Sequence, residues 1–210
     1  RWSSMMEMLI TIFSGDDWRK QRRLATQLEA IHARNVFPSF DEPAFRAVFE
    51  ITVRAPKAFD VVSNMPRASR MLEREFAVHR FAPTPPMPSY LVSVAVGNFD
   101  VLSGTAAGVP LRILTAPGKR EFARHAMRTT RQVLPYFSGY FGVPYALPKL
   151  DQFAVPSVRD GAMEDWGLIS YAENVFLVDP QRSSPETVRG AYDTIAHEIA
   201  HQWFGNLVTA

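Results

Sequence analysis

The stretch SPETVRGAYDTIAHEIAHQW, Ser184–Trp203, decides how this chain is read. It opens with a helix start: Ser184 as cap, Pro185 at the first helical position, and Glu186 in the first turn, where an acid meets the positive end of the helix dipole. Val188, Tyr192, Ile195, Ile199 and Trp203 then recur at the helical period and form one apolar stripe. His197 and His201 point the other way, preceded on their face only by Gly190 and Thr194. Four-residue spacing on a helix stacks two side chains one turn apart. Two imidazole nitrogens so placed reach one zinc ion at about 2 Å each. Glu198 stands beside the pair, where it can take a proton from a metal-bound water. One side of the helix is built for packing and the other for closeness to something small, which favours a metal over two satisfied histidines.

A catalytic zinc site takes three protein ligands and a water. Asp193 is a poor third, because Asp193, His197 and His201 would span about 12 Å of helix axis. It reads as a solvated acid.

Working outward, the period changes along the chain. Val48–Val53 alternates, with Phe49, Ile51 and Val53 on one face, and reads as a half-buried strand. Tyr90–Val96 reads as another, following the proline-rich turn Pro83–Pro88. The first hundred or so residues therefore look all-β, and the Gly104–Pro110 segment reads as a boundary. Beyond Pro117-Gly118, Phe122, Ala126, Val133, Leu134 and Phe137 fit one helix face, bent near Pro135. Leu150–Val155 and Leu168–Leu177 read as strands around a loop at Gly161. The expected class is α+β.

Composition narrows the partners. The chain has 210 residues, and 47% of them are hydrophobic, enough for a sizeable core. A formal net charge of +2 gives no reason to expect a nucleic-acid partner. The basic cluster Arg19, Lys20, Arg22 and Arg23 reads as a solvated stretch. With no cysteine, disulfides, thiolate metal sites and a cysteine nucleophile are excluded. The apolar run Met8–Phe13 is too short to span a bilayer. No signal peptide is visible, so the compartment stays open, with the cytoplasm favoured. The oligomeric state is open as well.

With these residues in view, His197–Thr209 (HEIAHQWFGNLVT) resembles the zinc-binding helix of the aminopeptidase N type of zinc metallopeptidase, the gluzincin aminopeptidases. Gly161–Gly167 (GAMEDWG) resembles the exopeptidase motif of that family, at the usual separation from His197. Phe37–Pro43 (FPSFDEP), Ser89–Phe99 and Tyr140–Asp151 resemble further family signatures. The similarity runs from about Thr26 onward, and residues 1 to about 25 match poorly.

The resemblance implies a β-rich, sandwich- or saddle-like N-terminal domain over residues 1–103, incomplete at its start. Residues 104–210 would form the first part of a thermolysin-like zinc peptidase domain, truncated. It implies one zinc ion held by His197 and His201, with Glu198 as general base, and peptide substrates with a free N-terminus. Glu164 resembles the glutamate that receives the substrate ammonium. An acid there selects a cationic terminus and fixes its distance to the metal, so one residue is removed. Glu29, in Thr26-Gln27-Leu28-Glu29, matches a second position used for that amine. Gly161, Ala162 and Met163 would line the substrate, the first two being small enough for close backbone approach.

Two departures matter. Asp165 stands where the motif usually has asparagine. A carboxylate only accepts hydrogen bonds, whereas an amide also donates, so a contact from Asp165 to a substrate carbonyl would be lost. The family's third zinc ligand and its oxyanion-stabilising tyrosine fall past Ala210. The chain is therefore expected to be the N-terminal portion of a zinc aminopeptidase. The alternative is a non-catalytic peptide-binding relative or an inactive truncated product.

Overall fold

The computed structural model of the protein describes residues 23–156 and 161–209. Arg19, Lys20 and Arg22 of the basic cluster and the apolar run Met8–Phe13 lie outside the described residues. Two compact units divide at Asn98 and Phe99.

In the first unit every described strand pairing is antiparallel. Strands β1 (Arg23–Ala25), β2 (Arg46–Ala47), β3 (Thr52–Pro56), β4 (Asp60–Ser63), β5 (Arg67–Glu73), β6 (Phe76–Phe81), β7 (Met87–Pro88) and β8 (Val94–Gly97) form three small sheets. Their orders are β1-β8-β4, β3-β6-β5 and β2-β7. Alternation sets their faces: Val53 and Ala55 on β3, and Ala77, His79 and Phe81 on β6, turn inward, while β5 is exposed along its length.

Two strand expectations here are shortened. Of residues 48–51, Ile51 still accepts the Phe81 amide at 3.0 Å, and the regular β3 strand begins at Thr52. Thr84 takes over part of that pairing, accepting the Phe49 amide through its hydroxyl at 3.0 Å and donating its own amide to Phe49 O at 3.1 Å. Ser89–Leu91 forms a 3-10 turn, closed by the Val92 amide on Ser89 O, before β8 begins at Val94.

The second unit is built on one mixed sheet, ordered β12-β13-β11-β10-β9. Its strands are β9 (Asp100–Ala106), β10 (Val109–Thr115), β11 (Leu150–Val155), β12 (Ala162–Met163) and β13 (Leu168–Ala172). The central pairs β10–β11 and β11–β13 are parallel, and the outer strands run antiparallel. The expected boundary near residue 103 falls inside β9, because β9 and β10 are one hairpin. Its two-residue loop, Ala107-Gly108, takes positive φ at both positions (48° and 80°), the geometry that matches the twist of paired strands.

Helix α1 (Arg124–Tyr140) continues through Pro135 and packs on β9 and on α3 (Pro185–His201). Between β13 and α3 the expected strand stops at Ala172. Residues Glu173–Phe176 coil into the short helix α2, which lays the Phe176 ring flat on Tyr171, centroids 4.2 Å apart. Helix α3 starts as its sequence dictates, Ser184 Oγ accepting the Thr187 amide at 3.1 Å. Its buried face is Ala191, Ile195, Glu198 and Ile199; Val188 is half-buried and Tyr192 exposed, so the stripe is turned slightly from the one read in the sequence. Just past the helix, Trp203 is buried among Phe137, Phe141 and Tyr145 and donates its indole N–H to Val143 O at 2.8 Å. Burying such a ring stabilises by roughly 2–3 kcal/mol, and here it pins the end of α3 that carries the histidines.

Candidate metal centre

His197 and His201 approach through their Nε2 atoms, 3.0 Å apart, with the rings near-perpendicular at 75°. His201 Nδ1 lies 2.9 Å from the backbone carbonyl of Phe204. A carbonyl only accepts, so Nδ1 carries the proton. That contact selects the tautomer with its lone pair on Nε2, toward His197, which is the form a metal takes. Two nitrogens bound tetrahedrally to one zinc lie about 3.3 Å apart. A separation of 3.0 Å is within a small side-chain adjustment of that, and the donor set fits the ion.

Two carboxylates complete the cluster. Among the described residues, one donor atom each from Glu164, Glu198 and His201 lie within 4.8 Å of one another. Glu198 is 6% exposed and sits on the packed side of α3. Behind it lies Tyr171, fully buried, whose hydroxyl donates to Gln152 Oε1 at 3.0 Å. Burial, and then the charge of Glu198, push the Tyr171 phenol well above its usual value, so it stays neutral.

Glu164 arrives on the segment that joins β12 to β13. That segment is short and closed, with the Leu168 amide on Asp165 O at 3.0 Å and the Ala172 amide on Gly161 O at 2.9 Å. Polar side chains bind it to its surroundings. Gln202 Nε2 and Asn206 Nδ2 both donate to Glu164 O, at 3.0 and 2.8 Å. Lys149 Nζ donates to Gly167 O at 2.6 Å and pairs with Asp151 at 2.9 Å.

Gly161 is exposed and Ala162 half-buried, both on the edge of the sheet. Met163 and Asp165 are 1% and 0% exposed, with Ser170 Oγ donating to Asp165 Oδ2 at 3.5 Å. Their side chains face the interior of the unit. Glu29 lies in the first unit, exposed, in the turn after Leu28. The structure thus brings His197, Glu198, His201 and Glu164 together.

Sequence reasoning missed Gln202, Asn206, Lys149 and Gly205. Gly205 has φ +113°, and a Cβ there would lie 3.3 Å from His201 Nδ1 and 4.0 Å from Glu164 Oε1. One signal was available: Gln202 is a polar residue between Ile199 and Trp203, on the side of the helix that should be apolar.

Comparison with known proteins agrees with this arrangement. Residues 12–91 match the Peptidase M1 N-terminal domain and residues 125–210 the Peptidase family M1 domain. Aminopeptidase N of Acetobacter pasteurianus is 43% identical over 191 residues, covering 90% of this chain and 54% of that protein. Leucyl aminopeptidase of Saccharolobus solfataricus is 41% identical over 186 residues, covering 89% of this chain and 24% of that protein. Glutamyl aminopeptidase of Mus musculus is 40% identical over 187 residues, covering 88% and 20%. The chain thus spans about half the length of the first of these relatives and a quarter or less of the other two. With both domains matched in order and the histidine pair in place, this chain belongs to peptidase family M1, of the aminopeptidase N type.

Proposed function

We propose that the protein carrying this chain is a zinc-dependent aminopeptidase that removes the N-terminal residue from peptides. The observation that carries this is the pair of Nε2 atoms 3.0 Å apart, with Glu198 and Glu164 beside His201. His197 and His201 would hold the ion through those nitrogens. When bound, zinc polarises the scissile carbonyl and lowers the pKa of the attacking water.

The chain's own residues do the rest. Glu198 takes the proton from the water and passes it to the leaving amine. Its burial shields that transfer from bulk solvent and strengthens its electrostatic effect. Glu164 pairs with the substrate ammonium. A fixed distance between that anchor and the metal limits cleavage to the first peptide bond. The edge-strand backbone of Gly161 and Ala162 lies along the substrate, where an unpaired strand edge offers hydrogen bonds to an extended peptide.

The test uses the protein that contains this chain. Its metal content and its hydrolysis of aminoacyl-naphthylamides are measured before and after chelation and after zinc is restored. Cleavage should vanish with the metal and return with it. Full activity in the metal-free protein, or a zinc-loaded protein that cleaves none of these substrates, would sink the reading.

A further inference from the structure

Two buried side-chain amides meet at one backbone atom. The carbonyl oxygen of Glu164 accepts from Gln202 Nε2 at 3.0 Å and from Asn206 Nδ2 at 2.8 Å, which fills both of its lone pairs. Gln202 is 1% exposed and Asn206 0%. The same Gln202 amide reaches Glu198 O at 3.3 Å with Nε2, and its Oε1 accepts the Gly167 amide at 3.4 Å. Asn206 is held in turn by its own amide on His201 O at 3.1 Å. The main chain of Glu164 is therefore tied by two part-buried bonds to Gln202 and Asn206, in the segment that follows His201.

We propose that Gln202 and Asn206 are positioning residues that set the distance from the Glu164 carboxylate to the histidine pair, and so determine how strongly the site prefers a free N-terminus. This rests on the reading of Glu164 as the ammonium acceptor. The physical case is one of degrees of freedom. With its backbone fixed, the Glu164 carboxylate is placed by its own three side-chain torsions alone. With its backbone loose, the β12–β13 connection moves as well, and the charge no longer sits at one distance from the metal. Both donors grip the residue that bears the carboxylate. A staple serving the fold alone has no reason to choose that carbonyl twice. Because the Gln202 and Asn206 amides are spent on backbone groups, their loss should be felt in substrate binding more than in the chemical step.

The experiment compares Gln202→Met, which keeps the bulk of the side chain without its hydrogen bonds, and Asn206→Ala, with Glu164→Gln as reference. Each is made in the protein that contains this chain, loaded with zinc. KM and kcat are measured on an aminoacyl-naphthylamide, together with cleavage of its N-acetyl form and zinc content. The expected result is a rise in KM of about tenfold in Gln202→Met and Asn206→Ala, with kcat held within about threefold, zinc retained, and a smaller preference for the free amine. Folded, zinc-loaded variants with KM and preference unchanged would overturn the proposal, as would a loss confined to kcat or to zinc. If Gln202→Met does not fold, Asn206→Ala decides by the same readings. Should Glu164→Gln itself leave KM and preference unchanged, the reading of Glu164 fails and takes this one with it. If Glu164→Gln raises KM and neither of the other variants does, only the positioning role fails.

Discussion

His201 donates its Nδ1 proton to the backbone carbonyl of Phe204 at 2.9 Å, which selects the tautomer whose free lone pair is on Nε2. The turn that supplies the carbonyl depends on Gly205. Its φ of +113° is one that a side chain rarely adopts, and a Cβ would press on His201 Nδ1 at 3.3 Å. Gly205→Ala should therefore cost about 1–3 kcal/mol of stability. It should also lower zinc affinity about 10–100-fold by disturbing the partner that orients the ring. Chelator competition on the folded variant measures the second effect separately from the first.

Glu198 has a different dependence on the metal. A carboxylate oxygen of Glu198 lies within 4.8 Å of a ring nitrogen of His201. Glu198→Gln keeps the shape and removes the basic oxygen. The expected outcome is a fall in kcat of about 10²–10⁴-fold, the usual contribution of a positioned general base, with zinc content unchanged. Metal analysis alongside steady-state kinetics checks it. A loss of zinc in proportion to activity would instead make Glu198 a ligand.

How much of this was legible can be argued residue by residue. The α3 cap, the histidine pair and the strand Leu150–Val155 were readable because each rests on local chemistry: a side-chain cap, a helical period, a short and mostly apolar segment. The extent of Leu168–Leu177 was not, because the ring stacking of Phe176 on Tyr171 is a tertiary contact that overrides strand propensity. The inward turn of Asp165 was hidden for a related reason. Side chains alternate across a strand and its connection, so the acid beside Glu164 takes the opposite face, but the register depends on the pairing of Met163 with Ser170.

Glu164 predicts a dependence on the substrate's terminal charge. An ammonium facing a carboxylate makes a charge-assisted bond worth roughly 1.5–3 kcal/mol. N-terminal acetylation removes that partner and adds bulk where the anchor sits. Acetylated peptides should be cut at least about tenfold more slowly at low substrate concentration, and Glu164→Gln should narrow the gap. Paired assays on one peptide, free and acetylated, give the ratio directly.

The Arg112–Asp151–Lys149 cluster makes the last prediction, on stability against acid. Asp151 is fully enclosed and receives Arg112 at 2.8 and 2.5 Å and Lys149 at 2.9 Å. Burial pushes its carboxyl up, but Lys149 and Arg112 outweigh that and hold it below the ordinary value of 3.8. A carboxyl more acidic folded than unfolded stabilises fully above its unfolded value. It loses that contribution as pH falls from there through the lower folded value. Asp151→Asn should cost about 3 kcal/mol at neutral pH, since Lys149 stays buried without the carboxylate that balances it. Lys149 also holds Gly167 O, so the segment bearing Glu164 should loosen as well. Denaturant titrations at neutral pH and below about pH 4 should show the parent losing stability in acid and the variant losing less, the two curves converging as Asp151 takes up its proton.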